Sequence, residues 1–132
     1  MRGRKKGRGK KRVLIVDDER DVVQAVTVRL QVSGFEVLSA FDGVQGFFVA
    51  HKEKPDVILL DIRMPGADGL TVAEQLRNSN LTRDIPVIFL TGSPEPSAQE
   101  RAMKTGARFY IKKPYDPEEL LDAVGRALER ER

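Results

Sequence analysis

Two kinds of apolar pattern take turns along this chain. Short continuous runs occur at Val13–Val16, Phe35–Ala40 (mixed with polar residues), Val57–Leu60, Val87–Leu90 and Arg108–Ile111. Bounded by breakers, runs of this length predict strands. Between them, apolar residues recur every three or four positions, the period of a helix: Val22, Val26 and Leu30; Val44, Phe47 and Phe48; Leu70, Ala73 and Leu76; Leu120, Val124 and Leu128. The segment Ser93–Thr105 offers only Ala98, Ala102 and Met103, which predicts a short, weakly anchored helix. Gly34, Gly43, Pro55, Pro65, Gly66, Pro86, Gly106 and Pro114 punctuate the boundaries. The predicted order is βαβαβαβαβα.

Strands that are apolar throughout and alternate with helices imply a parallel sheet covered on both faces. Right-handed crossovers leave few topologies, and ligands bind beyond the carboxyl ends of the strands where the strand order reverses. The expected fold is therefore α/β, a flavodoxin-like doubly wound sheet of five parallel strands. If the first and third strands are neighbours, as in the order 2-1-3-4-5, two sequence features meet in one crevice. In VLIVDDE the first strand runs into Asp17, Asp18 and Glu19, and in VILLDIRMPG the third ends on Asp61. Thr91 ends the fourth strand in VIFLTG, and Lys113 follows the fifth in YIKKP.

Carboxylates that would repel one another cluster most economically around a divalent cation. An oxygen-only donor set without His or Cys suits Mg²⁺, or Mn²⁺. A cation held by carboxylates beside a lysine and a hydroxyl makes a phosphoryl site, with Lys113 as a point charge and Thr91 as a hydrogen-bond donor. A nucleotide or flavin site would need a glycine- or hydroxyl-rich loop after the first strand. The acids there would repel a free phosphate, so the phosphoryl group arrives with metal present. Its natural acceptor is a carboxylate, giving an acyl phosphate.

Composition adds an asymmetry. The 132 residues carry a net charge of +3, but residues 1–12 hold 8 of the 23 Lys and Arg and no acid. The other 120 residues are left with 15 basic and 20 acidic side chains. Residues 1–11 read as a disordered basic tail and 12–132 as the folded domain. The tail, with Arg12, offers contacts to nucleic acid or another anionic surface, against the plainer reading of a solvated extension. It would enter at the sheet end opposite the phosphoryl site. Zero cysteines exclude disulfides and thiolate zinc sites and fit a cytoplasmic protein. No apolar run is long enough to span a bilayer, and no apolar stretch follows the basic start as in a secretory signal.

The acidic pair in VDDE, the acid in LLDIRMPGADG, the LTG and the YIKKP occur in order, each at the end of a predicted strand. Over about residues 12–131 the chain resembles a bacterial two-component receiver domain of the single-domain, chemotaxis-regulator type. The resemblance implies that Asp61 accepts the phosphoryl group from a sensor histidine kinase or a histidine phosphotransfer protein. It implies Mg²⁺ ligation by Asp18 and Asp61 directly, by Asp17 mainly through water, and by the backbone carbonyl of Arg63. It assigns Thr91 and Lys113 to the phosphoryl oxygens and makes Tyr110 an aromatic switch. The output partner would bind the face formed by the fourth helix, fifth strand and fifth helix. A cis Lys113–Pro114 peptide is implied too; an X–Pro bond makes that form cheap. Self-phosphorylation and autodephosphorylation would be slow, so the module is a switch rather than an enzyme.

Other polar residues have structural readings. Asp56, Asp68 and Asp84 are expected in caps or turns, Lys112 on the surface, and His51 at the polar end of the second helix. Phe47 and Phe48 are expected to pack within the domain. Two other functions remain open. A Mg²⁺-dependent phosphatase with an aspartyl nucleophile would carry a second Asp where Arg63 stands. A nucleic-acid-binding protein would use the receiver as a regulatory part. The end at Arg132, directly after the last helical pattern, favours a stand-alone receiver.

Overall fold

The structure is a computed structural model that describes residues 9–92 and 96–129. The predicted tail falls largely on residues outside that set. The elements run β1 (Arg12–Val16), α1 (Arg20–Val32), β2 (Glu36–Ala40), α2 (Gly43–Glu53), β3 (Val57–Leu60), α3 (Gly69–Arg77), β4 (Val87–Thr91), α4 (Pro96–Lys104), β5 (Phe109–Lys112) and α5 (Pro117–Glu129). Every strand pairing is parallel, in the order β2-β1-β3-β4-β5. The alternating element order is as the sequence pattern predicts; strand ends move by a residue or so. The first three residues of the predicted fourth helix, 93–95, lie outside the described residues.

Successive strand residues point to opposite faces and so feed two cores. Leu14, Val16, Ile58, Leu60, Val87 and Phe89 pack under α2, α3 and α4. Val13, Ile15, Val57, Leu59, Ile88 and Leu90 pack under α1 and α5. Both faces of the central strands are therefore dry, which is why their sequences read as unbroken apolar runs.

Helix α2 departs from the periodicity reading. Its buried positions are Gly43, Gly46 and Ala50, while Val44 is 73% and Phe48 62% exposed. A Cβ at Gly46 would lie 2.7 Å from a methyl of Val16, so the helix rides directly on β1 with no room for a side chain. Phe48 therefore does not pack within the domain as expected, whereas Phe47 is half-buried against the core. In α4, Ala98 and Ala102 are buried, but Met103 is 43% exposed.

Arg12 is a second departure. Placed by sequence at the start of the folded domain but counted with the tail as a possible anion contact, it is buried as the first residue of β1. Its guanidinium donates to the Glu53 carboxylate at 2.7 Å and to the Glu53 carbonyl at 2.8 Å. Its backbone N–H donates to Asp56 Oδ2 at 2.8 Å. A charge neutralised inside the domain is not available to an external anion, so Arg12 leaves the set of tail contacts.

Candidate functional site

The site forms at the carboxyl edge of the sheet. Asp17 follows β1 and its N–H donates to the Ala40 carbonyl; Asp61 follows β3 and its N–H donates to the Val16 carbonyl. These ladder bonds continue the sheet by one residue and hold both acids side by side. Asp17 is 1% and Asp61 5% exposed, whereas Asp18 is exposed. Carboxylate oxygens of Asp17, Asp18 and Asp61 all lie within 4.8 Å of one another.

Two further strand ends complete the cleft. Thr91, the last residue of β4, is fully buried and accepts the Lys113 N–H on its carbonyl at 2.8 Å. The Lys113–Pro114 peptide is cis, as the resemblance implies. The Lys113 ammonium lies 2.8 Å from Asp17 Oδ2, 2.7 Å from Glu19 Oε1 and 3.6 Å from Asp61 Oδ2. Asp18, Glu19, Asp61, Arg63, Thr91 and Lys113 line one cleft of about 600 Å³. All six sequence-predicted site residues, Asp17, Asp18, Asp61, Arg63, Thr91 and Lys113, are thus brought together.

The electrostatics follow from burial of like charges. Burial, then the charges of Asp17 and Asp18, push the Asp61 carboxyl from its usual 3.8 up to about 7, against the pull of Lys113. Burial alone would lower the Lys113 pKa, but hydrogen bonds to Asp17 and Glu19 and the charge of Asp61 outweigh it and hold the ammonium above its ordinary value. Lys113 and Arg63 do not balance the four acids Asp17, Asp18, Glu19 and Asp61. This deficit of positive charge, presented by hard oxygen donors alone, fits a divalent cation of the Mg²⁺ type.

Neighbouring residues take the structural roles expected of them. Asp68 caps α3 by accepting the Thr71 N–H at 2.9 Å, and Asp56 accepts from Arg12. His51 is a bridge rather than a free helix end, with Nε2 2.9 Å from Ser79 Oγ and Nδ1 3.2 Å from the Phe47 carbonyl. Tyr110 is half-buried against the same core as Phe89, its partner in the β4–β5 register. Thr91 follows Phe89 by two residues, so it shares that face of the sheet.

Compared with known proteins, residues 13–125 match the family described as the response regulator receiver domain. The chain belongs to this family. It is 39% identical to the phosphate regulon transcriptional regulatory protein PhoB of Pseudomonas aeruginosa over 120 residues, 91% of this chain and 52% of that protein. It is 39% identical to protein PilH of the same organism over 117 residues, 89% of this chain and 97% of PilH. The chain spans about half the length of most of the curated relatives it matches, among them the DNA-binding transcriptional regulator RpaA of Synechocystis, at 49%. A receiver domain from Methanospirillum hungatei superposes with a TM-score of 0.87 at 28% identity, covering 92% of this chain and 96% of the other. The receiver domain of a Pseudomonas aeruginosa sensor histidine kinase, with a magnesium ion coordinated in its active-site cleft, superposes at 0.84 with 26% identity, covering 92% and 99%.

The chain is thus a receiver of two-component signalling, a module phosphorylated on an aspartate with Mg²⁺ and served by histidine kinases, and its relatives are regulators. Among the described residues, no helix is long and apolar enough to cross a membrane.

The sequence reading missed one contact at the site. It placed Glu19 among the acids but gave it no role, and Glu19 pairs with Lys113 across 94 positions of chain. No periodicity or motif spacing carries that signal.

Proposed function

We propose that Asp61 is the phosphoacceptor of this receiver, that Asp18, Asp61 and the Arg63 carbonyl ligate Mg²⁺ directly with Asp17 acting through water, and that Thr91 and Lys113 hold the phosphoryl oxygens. The observation that carries the reading is the position of Asp61. Of the site's two buried carboxylates it is the one that lines the open cleft beside Asp18, Thr91 and Lys113, whereas Asp17 is held against Lys113 at 2.8 Å. Mn²⁺ serves in place of Mg²⁺, since the donors are the same hard oxygens.

A carboxylate oxygen of Asp61 attacks the phosphorus of a phosphohistidine. A P–O bond forms as the P–N bond breaks, and the electron pair leaves with the imidazole. Bound metal supplies neutralising charge for the phosphoryl oxygens. Lys113, positioned by Asp17, adds a fixed positive charge, and Thr91 donates its hydroxyl. The donor protein docks along α1, which starts at the site and carries a groove that includes Ala25, Val28, Val32 and Tyr115. Val28 and Val32 are 54% and 80% exposed, which suits an apolar partner surface.

Output passes through α4, β5 and α5, with Tyr110 as the moving element. Support comes from the shared sheet face of Thr91 and Tyr110 and from the thin anchoring of α4, which buries only small side chains. The receiver acts in the cytoplasm as a switch whose own catalysis of transfer and hydrolysis is slow. Residues 12–132 form this module, and residues 1–11 act as a basic tether to nucleic acid or an anionic surface. Deleting the tether lowers such binding in a salt-dependent way.

The acceptor assignment is tested with Mg²⁺ and acetyl phosphate. The mass of the protein rises by one phosphoryl group, and Asp61→Asn abolishes the rise. Label on His51 or on a serine would overturn it.

A further inference from the structure

We propose that Glu19 is a positioning residue that competes with incoming phosphoryl oxygens for Lys113, and so restrains reaction of this receiver with small free phosphodonors. The inference rests on the reading above, in which Asp61 accepts the group and Lys113 holds its oxygens.

Glu19 occupies the N-cap of α1, and its side chain makes no hydrogen bond to its own helix. Its backbone N–H is instead donated to Asp17 Oδ1 at 2.9 Å, which fixes the residue against the site. Its carboxylate reaches across the cleft to the Lys113 ammonium at 2.7 Å.

The ammonium has three protons to give. Asp17 and Glu19 take the two short contacts, and Asp61, at 3.6 Å, has the long one. A phosphoryl oxygen arriving at Asp61 draws on the same ammonium, so one short contact must loosen. Asp17 is 1% exposed and closed off from water, whereas the Glu19 side chain is 59% exposed and water can replace its partner. Glu19 is therefore the contact that yields. Until it does, its charge faces the approach path of an anionic donor, and it occupies the donor's best cationic anchor. A small anion must displace it with its own charge alone.

The test compares wild type, Glu19→Gln and Glu19→Asp at saturating Mg²⁺. The readouts are beryllofluoride affinity by titration and the rate of Asp61 phosphorylation by acetyl phosphate. In that reaction Asp61 attacks phosphorus, the P–O bond to the acyl oxygen breaks, and acetate leaves. Glu19→Gln removes the charge while keeping size, and should bind beryllofluoride and react about three- to tenfold better, the effect of one competing charge at a half-exposed position. Glu19→Asp keeps the charge but withdraws it from Nζ, and should gain similarly. Equal behaviour of Glu19→Gln and wild type would overturn the inference. So would a gain in Glu19→Gln with none in Glu19→Asp, which would mean general charge repulsion rather than competition for Lys113. If all three proteins fail to bind beryllofluoride, the acceptor assignment itself falls, and this inference with it.

Discussion

Replacing Asp61 by Asn should abolish phosphorylation and at the same time make the metal-free domain more stable. The folded domain holds the Asp61 proton with a pKa raised from 3.8 to about 7, chiefly by burial and by Asp17. Between those two values the folded state binds more protons than the unfolded chain, so stability falls as pH rises from about 4 through about 7 and is level above. At full strength the displacement amounts to about 4 kcal/mol. The cleft is open to water on one side and the penalty is shared with Asp17 and Asp18, which leaves about 1–2 kcal/mol for this one side chain. Asparagine keeps the shape and removes the charge. In chelator, urea unfolding at pH 8 should show Asp61→Asn more stable by that amount, with a Tm higher by roughly 5 °C. Near pH 4 the two proteins should converge. Mg²⁺ at about 100 times its Kd should return about 2.7 kcal/mol to the wild type and far less to the variant. A wild type whose stability is flat from pH 4 to pH 8, or a variant less stable at pH 8, would refute the reasoning.

Two further outcomes follow from other parts of the site. At Gly69 an added Cβ would overlap the Asp61 carbonyl and lie 2.8 Å from the Ile62 Cα, both backbone atoms that cannot step aside. Gly69→Ala should therefore lower the urea midpoint by the equivalent of about 2–3 kcal/mol with an unchanged m-value, and slow acetyl phosphate labelling of Asp61. Thr91→Ala, measured by NMR with beryllofluoride and Mg²⁺, should keep changes around Asp61 but reduce those at Tyr110 and along α4. Undiminished Tyr110 changes would mean that the coupling runs by another route.

Much of the fold was legible because a sheet dry on both faces has to be written in continuous apolar runs, and Val57–Leu60 or Val87–Leu90 have no other economical reading. The acids were legible because each directly follows such a run. The buried face of helix α2 was not, and the reason is physical. Hydrophobic periodicity weighs large side chains, but α2 meets β1 through Gly43 and Gly46, where closeness is bought by having no side chain at all. Val44 and Phe48 carried the periodic signal while facing water. Arg12 and Glu19 were illegible for a different cause. Each belongs to a charge pair whose other half is supplied by a distant element, Glu53 of α2 for Arg12 and Lys113 beyond β5 for Glu19. A count of charges along the chain grouped Arg12 with the tail's external contacts.

The strand-end origin of the site also makes it a report on the integrity of the whole chain. Asp17, Asp61, Thr91 and Lys113 come from four different strands and span nearly the full folded length. No contiguous fragment shorter than residues 17–113 contains the constellation, and none of its distances is set by local structure. A nascent chain still lacking β5 has its acids without the lysine, and one with β3 out of register has no acceptor beside Asp17. Competence for phosphoryl transfer therefore requires that the pairings among β1, β3, β4 and β5 have closed. A cell in which this receiver must be phosphorylated to act is, by the same chemistry, sampling only molecules in which these strand ends have met.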